Sequence, residues 1–489
     1  MPFKPVILWT DALVFVLVAA ALLFAWYVRR HEHLLAPWRR VARSASGMLA
    51  LTVLSMYIAV GLLDSLHYRP ALPDREGRRF YAIEVLSALD AIVGQLRTGR
   101  EKTYSAPLAT HLYAKETIEL PGGGRVRDYP RLRFGGAHLK DPAADRATDI
   151  ARHVLYGAAA GTIAWLVAAT LLCALISSRS GGHIDAAWRA IWRGETETPW
   201  RVVLVTLGLI VLVFGPAIAL AADYHVLGTD KVGQDVFYQS LKSIRTGLVI
   251  GTLTTLVMLP FALLLGLMAG YFRGWIDDAI QYVYTTLSSI PGVLLIAAAV
   301  LMMQVYIETH PELFETVTAR ADLRLLFLCI ILGITSWTGL CRLLRGEALK
   351  LREMEYIQAA HAFGVSHWRV ITRHILPNVM HIVLIAIVMD FSGLVLAEAV
   401  LSYVGVGVDP STISFGTMIN NARLEMARDP MVWWSLAAAF CFMLVLVLSA
   451  NLFADAVRDA FDPRIRSRVA NPAQLARHLA AAVRHRSAA

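Results

Sequence analysis

Residues 201–222 read RVVLVTLGLIVLVFGPAIALAA, a run with a single charged side chain, Arg201. A helix needs about 20 consecutive apolar residues to cross the hydrocarbon core of a bilayer. In lipid, the backbone polar groups of such a run are satisfied when it is helical, because each pairs within the segment. The stretch therefore predicts a transmembrane helix.

The same pattern recurs along the chain. Of the 489 residues, 57% are apolar and 17% are charged, whereas soluble domains carry about 25% charged residues. Nine transmembrane helices are predicted, at 9–28, 47–64, 154–177, 201–222, 247–269, 286–304, 323–341, 378–400 and 431–453. The entry to the sixth run is the least apolar, because it contains Ser288, Ser289 and Pro291. The composition predicts an all-α polytopic membrane protein and excludes an ordinary soluble enzyme.

The orientation follows from the basic residues. Lys and Arg are frequent in the loops 29–46 and 342–376, in the segment 178–200 and in the C-terminal tail 454–489. Nine spans place these segments on one side, which the positive-inside rule identifies as cytoplasmic. The net charge of +9 therefore indicates cytoplasmic loops rather than a nucleic-acid partner. The long segment 65–153 is then external, since long loops translocate largely regardless of charge.

The external segment predicts a small α+β insert. Apolar residues recur at helical spacing from Phe80 to Leu96, so we expect an amphipathic helix over 79–97. Gly122-Gly123-Gly124 predicts a turn between two extended segments. The residues suggest no catalysis, and a structural or partner-docking insert is favoured over a ligand site. On the cytoplasmic side, tryptophans and arginines over 184–196 predict a helix lying in the membrane interface.

The loop between the seventh and eighth spans has the clearest local pattern. Residues 347–363 contain strong helix formers without a breaker, so they predict one helix. Gly364 suits the left-handed position that ends a helix, Ser366 can cap the next helix, and Pro377 is tolerated in a first turn. Helix, sharp turn, helix and span form a short projection suited to a cleft in a second protein. A self-packed helical hairpin is the alternative that this pattern leaves open.

The loop also contains a spaced motif. In order, it has Gln358-Ala359-Ala360, three residues, Gly364, nine residues, and His374-x-Leu376-Pro377. This arrangement resembles the Glu-Ala-Ala, x3, Gly, x9, Ile-x-Leu-Pro pattern of the EAA loop in permeases of binding-protein-dependent ABC importers. Gln358 replaces the Glu of that pattern and His374 replaces its Ile, whereas the spacing is the same.

Three further stretches resemble permeases of the dipeptide/oligopeptide (DppC/OppC) type. They are His225-Val226-Leu227-Gly228-Thr229-Asp230 with Gly233, Asp235 and Arg245-Thr246-Gly247; residues 398–407, which read EAVLSYVGVG; and residues 451–464, which read NLFADAVRDAFDPR. Together with the loop, these matches cover about 200–466. Residues 1–180 fall outside the resemblance.

The resemblance implies a six-span type I ABC importer permease core at 201–453, with the coupling loop at 342–377, preceded by three extra spans. The remaining parts are two N-terminal spans with their basic loop at 1–64, the insert at 65–153, a third span with the interfacial helix at 154–200, and a basic tail at 454–489.

A permease of this type acts with partner chains. The resemblance implies a second permease subunit, two ABC ATPase subunits that bind ATP and Mg, an extracytoplasmic solute-binding protein, and a location in the bacterial inner membrane. The coupling loop would dock into an ATPase subunit, and ATP binding would drive alternating access. The sequence lacks the Gly-x4-Gly-Lys-Ser/Thr motif that cradles phosphates, so we expect a transport subunit without catalytic residues or a cofactor of its own. Peptides are the expected solute.

The candidate site residues fall into three groups. The ATPase-coupling group is Glu355, Tyr356, Gln358, Ala359, Ala360, Phe363, Gly364, Leu376 and Pro377. Asp390 and Glu398 lie within the eighth span, where ionisable groups often line a pathway, although a structural pair with a polar group on the partner permease is the alternative. The group expected to touch the solute-binding protein, or to form a local capped turn, is Gly228, Thr229, Asp230 and Asp235.

The sequence also leaves a second class of transporter as an alternative function. An ion-coupled secondary transporter would predict inverted repeats, broken helices and several intramembrane charges. The four cysteines lie in apolar runs and suggest neither disulfides nor a metal site.

Overall fold

The computed structural model describes residues 3–72, 80–119, 125–180, 183–310 and 316–461. Among these residues, nine helices are long and apolar enough to cross a membrane. They are Trp9–Arg30, Ala45–Asp64, Pro142–Ser178, Trp200–Leu220, Val236–Phe272, Gly292–Thr309, Val317–Arg352, His367–Val404 and Trp434–Phe461. Each overlaps one predicted run, so the all-α polytopic fold is confirmed.

The N-terminal part combines helices with two small sheets. Its elements are β1 (Phe3–Val6), α1 (Trp9–Arg30), α2 (Glu32–Arg43), α3 (Ala45–Asp64), β2 (His67–Pro70), β3 (Leu86–Ser87), α4 (Ala88–Ile92), α5 (Gly94–Thr98), β4 (Glu116–Glu119), β5 (Arg125–Asp128), α6 (Pro142–Ser180) and α7 (Ile184–Arg193). β1, β2 and β3 form an antiparallel sheet in which Phe3 lies opposite Pro70. β4 and β5 form an antiparallel pair. The insert is therefore α+β, as predicted.

The C-terminal part contains the other six candidate spans. Its elements are α8 (Trp200–Leu220), α9 (Val236–Phe272), α10 (Trp275–Ser289), α11 (Gly292–Thr309), α12 (Val317–Ser336), α13 (Thr338–Arg352), α14 (Glu355–Ala362), α15 (His367–Val370), a π-helix (Ile371–Ile375), α16 (Leu376–Val404), α17 (Phe415–Glu425) and α18 (Trp434–Phe461). The long helix α9 lies at the centre and packs against α3, α12, α13 and α16. Apolar clusters along α9 form the core.

The predicted cytoplasmic segments meet at one end of the bundle. Trp38 in α2 packs on Phe461 at the end of α18, with ring centroids 5.5 Å apart. Arg43 Nη2 lies 3.0 Å from Glu197 Oε2, which joins the first basic loop to the segment after α7. β1, β2 and the insert lie at the other end. This arrangement agrees with the orientation expected from the basic loops.

The N-terminal helices pack closely on the core. A Cβ added to Gly157 in α6 would lie 2.6 Å from the carbonyl oxygen of Gly215 in α8. Small residues at contacts between membrane helices let the two backbones approach closely. Close packing matters there because lipid supplies no hydrophobic driving force between helices. Charged groups add to this packing at the insert end of α9. There Arg245 Nη2 donates to Asp11 Oδ1 at 2.6 Å, and Lys242 Nζ donates to Asp64 Oδ1 at 2.6 Å.

Three predicted boundaries were wrong. α6 begins at Pro142, so the insert ends before residue 153. α11 begins at Gly292 rather than at 286, because Pro291 lacks an N–H group and breaks the helix after α10. α18 continues to Phe461, so the predicted tail begins inside a helix, and residues 462–489 lie outside the described residues.

The predicted amphipathic helix over 79–97 was also wrong. Leu86 pairs with Tyr68 in β2, and Ser87 and Asp90 form a capping box that starts α4. Strand pairing and the cap outweigh the helical spacing of the apolar residues. β4 and β5 confirm the predicted extended segments, whereas Gly122-Gly123-Gly124 lies outside the described residues.

The predicted interfacial helix is present as α7. It ends at Arg193, because Gly194 follows in a left-handed conformation with φ 73°. Ile191 is fully buried and packs with Leu204 of α8 and Cys173 of α6. Ile184 is 51% exposed, so the apolar face is only partly covered by the chain itself.

Candidate functional site

The loop that joins α13 to α16 contains two short helices. The single helix predicted over 347–363 was wrong, because α13 ends at Arg352 and α14 begins at Glu355. Met354 adopts an extended conformation, with ψ 140°, at the N-cap of α14. Residue composition does not reveal this break, since neither Gly nor Pro marks it. The predicted order of helix, turn, helix and span is otherwise present.

The turn after α14 is a Schellman motif. Gly364 has φ 74°, its N–H donates to His361 O at 2.9 Å, and Val365 N–H donates to Ala360 O at 3.0 Å. This pair of bonds satisfies the last carbonyls of the helix and requires a left-handed residue. The prediction for Gly364 is confirmed. Ser366 occupies the N-cap of α15, but its side chain accepts no capping hydrogen bond, so that detail was wrong.

The loop presents an exposed face to solvent. Its exposed members among the predicted coupling residues are Glu355, Tyr356, Gln358, Ala359, Phe363 and Gly364. Phe363 is 87% exposed and the neighbouring Trp368 is 60% exposed. Ala360 is half-buried, while Ile357 is fully buried in the core cluster of α9, α13 and α16. The helix α14 is therefore anchored by one face and available on the other.

Leu376 and Pro377 lie at the start of α16, where Leu376 is half-buried and Pro377 is exposed. Leu376 packs against the core cluster, and Pro377 occupies the first turn of α16, directly after the π-helix. Asn378 Nδ2 donates to the hydroxyl of Tyr356 at 3.2 Å. Leu376 and this hydrogen bond position the loop, whereas the side chain of Pro377 is exposed.

Tyr271 at the end of α9 supports the loop from behind. Its hydroxyl lies 2.9 Å from Nε2 of His361 and 2.9 Å from Nδ1 of His367, so it can donate to one ring and accept from the other. Arg352 Nη1 donates to the carbonyl of Tyr271 at 2.8 Å. The sequence analysis missed this residue, because about 90 positions separate it from the histidines. The two histidines that flank Gly364 were the available signal.

An ion pair fixes the base of the loop. Arg345 of α13 donates from Nε and Nη2 to the two carboxylate oxygens of Asp277, at 2.6 and 2.7 Å. These hydrogen bonds from Arg345 lower the pKa of Asp277 from its ordinary value. Asp277 is buried, and its pair with Arg345 joins α10 to α13.

The two candidate pathway acids differ in environment. Glu398 is 1% exposed and accepts hydrogen bonds from Ser402 Oγ at 2.6 Å and Ser414 Oγ at 2.8 Å. It links α16 to the N-cap of α17, which favours a structural role within this chain over a pathway role. Asp390 is half-buried and has no hydrogen-bond or ion-pair partner among the described residues. It stays the pathway candidate.

The predicted binding-protein contacts lie beneath the insert. Thr229 is fully buried, and its hydroxyl accepts from Ser105 N–H at 2.7 Å. Asp235 is fully buried as the N-cap of α9. Gly228 has φ 72°, and a Cβ there would lie 2.5 Å from the carbonyl of Ser105. Asp230 accepts from the N–H groups of Val232 and Gln234 within the turn. The capped-turn alternative describes this group, because the insert covers Thr229 and Asp235.

A buried ionic cluster joins the insert to this turn. His225 Nδ1 lies 2.7 Å from Asp235 Oδ2, and its Nε2 lies 3.5 Å from Glu101 Oε1. Burial acts to lower the pKa of His225, but Asp235 and Glu101 outweigh it and raise the pKa to about 9. Burial acts to raise the pKa of Glu101, but His225 and the N–H groups of Arg133, Phe134 and Gly135 outweigh it and lower the pKa to about 2.

Comparison with known proteins identifies the family. The sequence model of the family described as "Binding-protein-dependent transport system inner membrane component" matches residues 262–467. The chain is 33% identical over 243 residues to the oligopeptide transport system permease protein OppC of Mycobacterium tuberculosis, covering 50% of this chain and 77% of that one. It is 31% identical over 308 residues to the glutathione transport system permease protein GsiD of Pectobacterium atrosepticum, covering 58% and 93%.

The chain belongs to this family. It is a multi-pass permease subunit of an ATP-driven, binding-protein-dependent importer in the bacterial inner membrane, and it works with ATPase subunits and a solute-binding protein. The alternative of an ion-coupled secondary transporter is not supported. Among solved structures, a chain of the inward-facing MetNI methionine ABC transporter aligns with a TM-score of 0.36 and 14% identity, covering 46% of this chain and 98% of that one.

Proposed function

We propose that this permease subunit imports peptides, as one of two permease chains that share two ATPase subunits. The names of two relatives support the solute class: one transports oligopeptides, and the other transports glutathione, itself a tripeptide. The ATPase subunits bind ATP and Mg, and this chain supplies the pathway and the contact that transmits their motion. Asp390 is the residue that we assign to the pathway.

The exposed face of the coupling loop carries this proposal. The loop exposes several large apolar side chains, among them Met354 at 50%, Phe363 at 87% and Trp368 at 60%, and exposed apolar patches mark protein–protein interaction sites. Phe363 stands beside Ala359, whose side chain is small, and Gly364, which has none, so a second backbone can approach closely. Large aromatic anchors surrounded by near-neutral contacts are typical of interface hot spots. This surface suits a cleft in an ATPase subunit.

The buried side of the loop explains how a displacement would reach the spans. Ile357 is packed into the core cluster, and Tyr271 bonds the loop to the end of α9. The pair of Asp277 and Arg345 fixes α10 to α13. Because packed cores move as rigid bodies rather than deform continuously, a shift of α14 would carry α9, α13 and α16 with it. Such movement is what alternating access requires.

Reconstitution tests both parts of the proposal. The complete importer, with its binding protein, is placed in liposomes and assayed for uptake of a labelled tripeptide, a glycoside and Ni²⁺. We expect uptake of the tripeptide alone, together with ATP hydrolysis that the loaded binding protein stimulates. Uptake of the glycoside or Ni²⁺ instead would overturn the peptide assignment.

A loop variant tests the coupling role separately. Phe363→Ala removes the exposed ring, whereas Leu343→Ala removes a 53% exposed side chain of α13, before the two short helices α14 and α15. We expect Phe363→Ala to lose about 30-fold in apparent affinity for the ATPase subunits, the effect of a 2 kcal/mol hot spot. Leu343→Ala should retain wild-type affinity. Equal affinity of the Phe363 variant and wild type would contradict the docking role.

A further inference from the structure

A large apolar groove lies between the N-terminal helices and the core. It has a volume of about 700 Å³ and is bounded by α3, α8, α9 and α18, with α4 and α5 covering one end. The rings of Phe214, Phe237 and Phe442 form part of its wall, with centroids 6.2 to 6.4 Å apart. Tyr57 is one of the few polar side chains that line it, and its hydroxyl is already bonded to the carbonyl of Phe442 at 2.9 Å.

The groove opens sideways, toward the surroundings of the bundle. Among its lining residues, Val213 and Ile218 on α8 are both 65% exposed, and Ile92 on α4 is 67% exposed. The four helices around it are candidate membrane spans, so the medium outside the opening is hydrocarbon. Water does not fill an apolar cavity of this kind, because it finds too few polar partners. An empty groove would also lose the dispersion contacts of its walls.

The length of the groove matches one leaflet. On α3 the lining runs from Val53 to Leu63, a rise of about 15 Å at 1.5 Å per residue. The hydrocarbon core of a bilayer is about 30 Å thick, so half of it is about 15 Å. On α8 the lining runs from Ile210 to Ile218, about 12 Å, and Ala221 and Ala222 continue it just past the end of the helix. The end at Leu63 and Ala222 is the end that meets the insert, which places the groove in the outer leaflet.

We propose that this groove binds one acyl chain of a phospholipid from the outer leaflet. The chain enters through the opening beside Val213 and lies along α3 and α8, with its head group at the level of α5 and its terminal methyl group near Val53. The bound chain completes the packing between α8 and the core helices α9 and α18. The tight contact of α8 lies on another side, where Gly215 meets Gly157 of α6.

Photolabelling tests this site. The probe is phosphatidylethanolamine with a diazirine at the end of one acyl chain, incorporated into nanodiscs that hold the assembled importer. We expect the label on peptides around Val53, Ile210 and Val445, which line the deep end of the groove. Label spread evenly over all lipid-facing helices, or recovered on a co-purified protein that covers the opening, would overturn the proposal.

Two tryptophan variants make the test specific. Val213→Trp adds bulk to a lining residue, whereas Leu212→Trp adds the same ring at the neighbouring position, which is 56% exposed and does not line the groove. We expect Val213→Trp to reduce the label at Val53 and Val445 about tenfold, as a loss of 1.4 kcal/mol in binding would do. Leu212→Trp should leave the label unchanged. Equal labelling of both variants would show that the probe reports only the lipid around the whole protein, and it would overturn the proposal.

A cysteine in the groove gives a second measurement that needs no bulky substitution. Cys441 lines the groove and is exposed, whereas the other three cysteines are buried. In detergent, we expect added phosphatidylethanolamine to slow the alkylation of Cys441 by N-ethylmaleimide about tenfold. A cysteine introduced by Leu175→Cys, at a 62% exposed position of α6 outside the groove, reports general shielding by lipid. Equal slowing at both positions would overturn the proposal.

Discussion

Substitution of Gly364 by alanine perturbs the coupling loop at its most constrained position. The backbone there has φ 74°, and a residue with a Cβ loses about 1–2 kcal/mol in this left-handed conformation. No described heavy atom lies within 4 Å of the added Cβ, so the backbone effect acts without a clash inside the chain. A penalty of about 1–2 kcal/mol corresponds to about a 5- to 30-fold weaker apparent affinity for the ATPase subunits.

The matched control is Gly346→Ala in α13. The added Cβ there also meets nothing within 4 Å, but the backbone is helical, where alanine is favoured over glycine by about 1 kcal/mol. The assay titrates purified ATPase subunits onto the permease complex in nanodiscs and follows ATP hydrolysis stimulated by the binding protein. Gly364→Asn should fall between wild type and Gly364→Ala, because Asn tolerates the left-handed region. Wild-type affinity for Gly364→Ala, or an equal loss in Gly346→Ala, would refute the reasoning.

Four further predictions concern the residues that support the coupling loop, the buried cluster beneath the insert and the start of α17. Tyr271→Phe removes the hydroxyl that both loop histidines contact, and it should speed amide exchange across residues 355–370 while the membrane helices stay protected, as mass spectrometry can measure. The pKa of His225 is raised from 6.5 to about 9, so the stability that protonated His225 gives to the fold is fully present below pH 6.5 and is lost as the pH rises through 9. His225→Gln should therefore flatten the decline of the melting temperature over that interval. The pKa of Glu101 is lowered from 4.5 to about 2, so the stability that ionised Glu101 gives to the fold is present above pH 4.5 and is lost as the pH falls through 2. A melting temperature that does not change across that interval would contradict this prediction. Glu398→Ala leaves two buried serine hydroxyls without their acceptor and should lower the free energy of unfolding by about 1–3 kcal/mol, whereas activity lost at full stability would restore its pathway role.

The features that were predictable from the sequence are local. A transmembrane helix is specified by the composition of about 20 adjacent residues, which is why nine runs were found at overlapping positions. The turn at Gly364 was predictable because a helix end needs a left-handed residue at one position. Errors remained at helix ends, where Pro291 and the cap at Ser87 act against the apolar periodicity.

The features that were missed depend on residues far apart in the chain. Arg245 bonds to Asp11 across 234 positions, and Thr229 is buried by a segment 124 positions before it. A lone sequence does not show which segment covers which turn, so it left open whether Thr229 and Asp235 form a local capped turn or contact the binding protein. The break at Met354 has another cause. Met354 is extended between α13 and α14, and no residue type marks this break.

Crosslinking from the exposed face of the coupling loop is the most direct test of the central claim. A photoreactive amino acid replaces Phe363 in one variant and Leu343 of α13 in another, and both are illuminated in the assembled importer. The account predicts that the first variant crosslinks to an ATPase subunit and that the second does not. Crosslinks from position 363 to lipid alone, or no crosslink to any ATPase, would contradict the account.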